Sequence, residues 1–251
     1  MSFTQEEFTS YRDTVSRALD AIGAAPVLER QPRILIKPNL INASPHPVTT
    51  PMDCCDAIVH YIRDCSEAEI VIAEGCGDSV LETDQVFESL GYLELVEEHN
   101  VALVDLNQAP LVKKSNPECP VFPEMMLPEI AFSHYIISVP VLKAHSIADI
   151  TGSLKNMMGF APPRFYSGGT GSWKKALFHR NMHQAIRDLC SYICPDLTIM
   201  DATIGLARYH LGGSRCNPPI NSIIAGFDPY EIDRRAAALL KLDWQEIPHL
   251  L

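Results

Sequence analysis

Six short apolar runs, separated by stretches of helical periodicity, predict an α/β fold. The expected form is a doubly wound, mostly parallel sheet flanked by helices, in a single domain over 1–251 with loop or lid insertions. The runs are Arg33–Lys37, Glu69–Ala73, Val101–Val104, Tyr135–Val139, Leu197–Met200 and Ile220–Ala225. Their apolar positions are consecutive rather than alternate, as strands covered on both faces require. A chain of 251 residues with 47% hydrophobic content can enclose one large core.

Thr4 with Glu7 resembles a capping box, and Phe8, Tyr11, Val15, Leu19 and Ile22 recur at helical spacing, so one helix is expected over 4–22 up to Gly23. The first strand ends at Lys37-Pro38-Asn39. Thr50-Pro51-Met52-Asp53 then starts a helix whose inner face carries Ile58, Ile62 and Cys65. The second strand delivers Glu74 into a Gly75-Cys76-Gly77-Asp78 turn that lacks the G-x-G-x-x-G spacing of a dinucleotide site. Val86–His99 reads as one helix. Residues 107–128, with five prolines, read as a loop-like excursion.

Ser138–Gly159, SVPVLKAHSIADITGSLKNMMG, is the most chemically dense stretch. Pro140 should end a strand and leave Lys143 and His145 at its carboxyl end. Thr151 is expected to cap a short helix opened by Gly152 and Ser153, whose N–H groups and dipole would favour an anion beside Lys155 and Asn156. Residues 160–178 include Ser167-Gly168-Gly169-Thr170-Gly171, which is no P-loop and reads as a mobile lid. His179–Ile193 is expected to be a helix. There His179 and His183, four apart, could share a metal, although no third ligand is specified by spacing. Asp201 should lie at the end of the next strand. Asp228-Pro229-Tyr230-Glu231 should cap the last helix, which carries Asp233.

The net charge of −11 argues against nucleic acid as a partner. It is unevenly spread, however. From Lys143 to Arg180 six basic residues face one acid, Asp149, giving +5 locally and −16 elsewhere, a pattern suited to steering a small anion. With no signal peptide and no long apolar run, a cytoplasmic protein without a membrane span is expected. Eight cysteines without a C-x-x-C read as reduced thiols, so no iron–sulfur cluster is expected in this chain.

The segments Ile34–Leu40 (ILIKPNL), Ser138-Val139-Pro140 with Lys143 and His145, Ile150–Gly159 (ITGSLKNMMG), Pro195–Ala202 (PDLTIMDA) and Ala225–Pro229 with Asp233 resemble the family catalogued as domain of unknown function 362. The resemblance implies an α/β domain, sometimes joined to a ferredoxin module. This chain lacks the cysteines of that module, so any redox role would need a partner protein. It also differs near the final strand, where Tyr209-His210-Leu211-Gly212-Gly213 stands in place of a Gly-Pro.

The leading expectation is an enzyme that binds a small anionic metabolite, carboxylate or phosphate, where the strands end. Lys37, Lys143 and Lys155 would neutralise it, Asn39 and Asn156 would orient it, with Thr151, Gly152 and Ser153 beside it, and His145 or His179 would move a proton. Glu74, Asp201 and Asp233 would tune these groups or hold a divalent cation. The alternatives are a redox or iron–sulfur accessory protein and a non-catalytic ligand-binding module.

Overall fold

The computed structural model describes residues 3–169 and 174–251. The chain runs through β1 (Phe3–Glu7), α1 (Tyr11–Ala21), α2 (Ala25–Leu28), β2 (Arg33–Pro38), α3 (Met52–Cys65) and β3 (Glu69–Glu74). It continues through α4 (Thr83–Ser89), α5 (Leu93–His99), β4 (Ala102–Asp105), β5 (Leu111–Ser115) and β6 (Glu124–Pro128). Next come β7 (Tyr135–Val139), β8 (Val141–His145), β9 (Asp149–Thr151), α6 (Ser153–Asn156) and α7 (Pro163–Tyr166). The last elements are α8 (Met182–Tyr192), β10 (Leu197–Leu206), β11 (Ser222–Gly226) and α9 (Pro229–Leu239).

The main sheet has the order β1-β11-β10-β7-β2-β3-β4. Strands β10, β7, β2, β3 and β4 are mutually parallel, while β11 pairs antiparallel with β10 and β1 antiparallel with β11. The fold is therefore the expected α/β type, with an antiparallel edge. Period-two alternation within β2 feeds two separate cores. Ile34 and Ile36 pack with Leu19, Ile58 and Ile62 of α1 and α3, and Leu35 packs with Ile186 and Leu189 of α8 and Ile232 of α9.

From β2 the chain moves outward through β3 and β4, then returns to place β7 on the other side of β2. That reversal opens a crevice beyond the carboxyl ends of β2 and β7, the usual ligand position in such sheets.

Several local expectations are corrected. The helix expected over 4–22 begins at Tyr11, capped by Ser10, because residues 3–7 form the edge strand. Phe3–Glu7 supplies the backbone pairing that the otherwise open edge of β11 needs. The helix expected over 86–99 is two helices, broken at Gly91 with φ +81°. Residues 107–128 contain the antiparallel β5–β6 hairpin rather than loop alone. Pro140 interrupts the ladder without ending it. Val141–His145 resumes as β8, parallel to β10 and antiparallel to β9. Thr151 closes β9, and Gly152 is the cap residue of α6. His179 lies in a 3-10 turn (Ala176–Arg180) that precedes α8, so it and His183 do not share one helix. Asp201 sits within β10, which extends to Leu206. Within the expected lid, Pro163–Tyr166 is helical, and its residues 170–173 lie outside the described residues.

Candidate functional site

At the carboxyl ends of β2 and β3 lies a cavity of about 360 Å³. Among the expected residues, Asn39, Glu74, His145, Lys155, Asn156 and His179 line it. A size of this order suits a small metabolite.

The floor is a hydrogen-bonded lattice built from the Lys-Pro-Asn and Thr-Gly-x-x-Lys-Asn segments. Lys37 is fully buried and pairs with Glu74 Oε1 at 2.7 Å. Glu74 also accepts from Leu40 N and Gly75 N, each at 2.8 Å. Burial lowers the Lys37 pKa even though Glu74 opposes the drop. Asn156 donates to Lys37 O at 3.0 Å and to Ser138 Oγ at 3.1 Å, and accepts from Asn39 Nδ2 at 3.2 Å. Lys143 donates to Asn39 Oδ1 and, at 2.6 Å, to Val48 O. These groups thus hold one another and shape the cavity wall. Gly159 is required by the close packing, since a Cβ there would stand 2.2 Å from Glu74 Oε1 and 2.3 Å from Lys37 Cε.

Lys155 differs from its neighbours. It is buried to 9% exposure, lines the cavity, and its ammonium makes no hydrogen bond or ion pair with the described residues. Burial alone brings its pKa from 10.5 down to about 8. The Lys143 pKa falls to about 7 through burial and then through the charge of Lys155. Lys175, also in the cavity wall, falls to about 7 through burial and donates to Met158 O at 2.9 Å and Gly159 O at 3.1 Å. Lys174 is tied to Glu82 at 3.0 Å. Three lysines, Lys155, Lys174 and Lys175, thus line the cavity against two carboxylates, Glu74 and Asp78.

Three imidazoles, His145, His179 and His210, also line the cavity. His145 Nδ1 accepts from Ile147 N and Ala148 N, each at 3.1 Å, which leaves the proton of the neutral ring on Nε2. His210 stacks on His145 with ring centroids 3.9 Å apart. Burial and then Lys155 hold both rings neutral. His145 lies well below the usual histidine range and His210 is lowered to about 3. His179 is lowered by the same two causes.

Five expected site residues lie elsewhere. The α6 N-terminus proposed for a ligand anion is already occupied, because Asp233 accepts from Ser153 N at 2.6 Å and from Leu154 N at 3.0 Å. Gly152 permits that docking, since a Cβ there would lie 2.2 Å from Asp233 Oδ1. Ser153 Oγ is bonded to Thr198 Oγ1 at 2.5 Å, and Thr151 Oγ1 is buried without a partner among the described residues. Asp201 accepts from Tyr11 at 2.7 Å, His46 at 3.2 Å and Thr203 N at 2.8 Å; burial raises its pKa, but His46 and Thr203 outweigh that effect and lower it. Glu74, Asp201 and Asp233 thus serve three different partners and form no shared cation cage. Among the described residues, the only group of three or more His, Cys, Asp and Glu with mutually close ligand atoms is Asp56, His60 and His99.

Sequence reasoning missed His210, Tyr209 and the burial of Lys175 as wall residues. His210 lies 65 residues beyond His145, in the segment after β10, and no spacing rule links the two. The described residues include no helix long and apolar enough to cross a membrane.

The fold is similar to the lactate racemase apoprotein from Thermoanaerobacterium thermosaccharolyticum, with TM-score 0.53 and 14% identity. The match covers 93% of this chain and 56% of that one, so the chain spans little more than half the length of its structural neighbour. No curated protein matches the sequence. The domain of unknown function (DUF362) model matches residues 34–238, which include both segments of the cavity floor, and the chain belongs to that family.

Proposed function

We propose that the protein is an enzyme that binds a small anionic metabolite, carboxylate or phosphate, against Lys155 and performs lysine and histidine acid–base chemistry on it. The observation that carries this reading is the Lys155 ammonium, buried at the cavity without a described partner. Burying an unpaired cation is costly, and a bound anion would offset that cost by supplying the absent counter-charge.

In this reading His145 offers its Nε2–H to the ligand as a neutral donor, while His179 or His210, kept neutral by burial, accepts a proton. Lys143 and Asn39 act from below by fixing Asn156 and the wall. The structural neighbour's name, lactate racemase, supports starting with 2-hydroxy carboxylates.

The test is a thermal-shift screen of wild type and Lys155→Met with lactate, other 2-hydroxy carboxylates and inorganic phosphate. NMR time courses would then follow each anion that binds. The proposal expects stabilisation of wild type alone, because a ligand specific to the native state raises its stability, together with conversion of at least one anion. Binding without conversion would make the protein a ligand-binding module, and equal stabilisation of the variant would remove Lys155 from the site.

A further inference from the structure

Away from the cavity, α3 and the last turn of α5 bring together two imidazoles and a carboxylate. Asp56 and His60 are one helical turn apart on α3, with His60 Nε2 3.6 Å from Asp56 Oδ1. His99 closes the group from α5, its Nε2 2.6 Å from the same oxygen, and the two rings meet edge to face at 4.4 Å. The potential ligand atoms of all three residues lie within 4.8 Å of one another. None of the three lines the cavity described above.

We infer that Asp56, His60 and His99 form a binding site for a borderline divalent transition metal, of which Zn²⁺ is the type, that fastens α5 to α3. Two imidazoles and one carboxylate match the donor preferences of Zn²⁺ or Ni²⁺, whereas Mg²⁺ and Ca²⁺ favour oxygen throughout. Metal–ligand bonds of about 2.0–2.1 Å in a tetrahedron place neighbouring ligand atoms roughly 3.3 Å apart. The separations of 2.6 and 3.6 Å that the two imidazoles keep from Asp56 bracket that edge.

The local charge agrees. Glu98 places a second carboxylate 3.9 Å from His99 Nε2. Three protein ligands leave a coordination position for water at this partly exposed site. The mechanical role follows from α5 itself, a seven-residue helix whose only buried side chain is Leu95. So short a helix depends on its contacts with the rest of the fold.

The test uses chelator-stripped full-length protein, with Zn²⁺ alone as the probe, in calorimetric titration and thermal unfolding. Wild type should bind one Zn²⁺ saturably at micromolar concentration and melt at a higher temperature when loaded. His60→Asn and His99→Gln should each lose that binding or weaken it at least tenfold, and lose the thermal gain. Gln at position 99 retains a donor for Asp56, and circular dichroism verifies that both variants are folded. Absence of saturable Zn²⁺ binding by wild type, or equal affinity in the two folded variants, would overturn the inference.

Discussion

Replacing Lys155 with Met should make the protein more stable while abolishing its anion binding. The two side chains are similar in length, so the main change is removal of a buried charge. Burial alone lowers the Lys155 pKa from 10.5 to about 8. At about 1.4 kcal/mol per pH unit, that difference corresponds to roughly 3 kcal/mol held against folding. Between about pH 8 and 10.5 the unfolded chain keeps a proton that the folded chain has lost, so wild-type stability rises with pH across that window. Below pH 8 the full cost applies. Lys155→Met should therefore exceed wild type by up to about 3 kcal/mol at pH 7, or roughly 6–12 °C in Tm for a domain of this size. The gain should shrink toward zero above pH 10.5. Denaturant unfolding of both proteins at pH 7, 9 and 11 measures this directly. A variant that is no more stable at pH 7, or whose gain does not change with pH, would refute the reasoning.

Other substitutions test the supporting framework. Glu74→Gln leaves Lys37 buried without its 2.7 Å counter-charge, and should cost about 3–5 kcal/mol in urea unfolding. Gly152→Ala drives a methyl group to 2.2 Å from Asp233 Oδ1 and should destabilise by about 1–3 kcal/mol or more by the same assay. Asp233→Asn turns an amide NH₂ toward one of the two α6 N–H groups, and should cost about 1–3 kcal/mol; a neutral result would show that α6 does not need this acceptor. Burial raises the Asp233 pKa to about 7, so between pH 3.8 and 7 the folded chain holds a proton that the unfolded chain lacks. Its contribution should therefore fall with rising pH through that window, and the gap between wild type and Asp233→Asn should change across it.

The parallel core was legible because its strands are short and apolar on consecutive positions, and Ile34–Ile36 and Ile70–Ala73 allow little else. The edge was not. Phe3–Glu7 carries the pattern of a helix start, and only its pairing with β11, more than 200 residues away, makes it a strand. Local pattern likewise suggested that Pro140 ends the strand, because nothing nearby in sequence reveals that β10 is long enough to pair with β7 and then with β8. Within the site, the Lys-Pro-Asn and Lys-Asn segments were recognisable from residue type. Their division of labour was not, since Lys37, Lys143 and Lys155 look alike in sequence. Only packing shows that Glu74 neutralises the first, that Asn39 and Val48 hold the second, and that the third is left for the cavity. The α6 N-terminus, expected to receive a ligand anion, instead meets the Asp233 side chain from α9, which no local spacing in the sequence reveals.

The central claim is that an anion completes the environment of Lys155. Its most direct test is calorimetric titration of lactate and phosphate at pH 8, repeated in buffers of different ionisation enthalpy to count protons. An arriving anion should raise the lowered lysine pKa values, so wild type should bind with net proton uptake and Lys155→Met should show neither binding nor uptake. Absence of saturable binding of either anion by wild type, or binding of equal strength by the variant, would contradict the account.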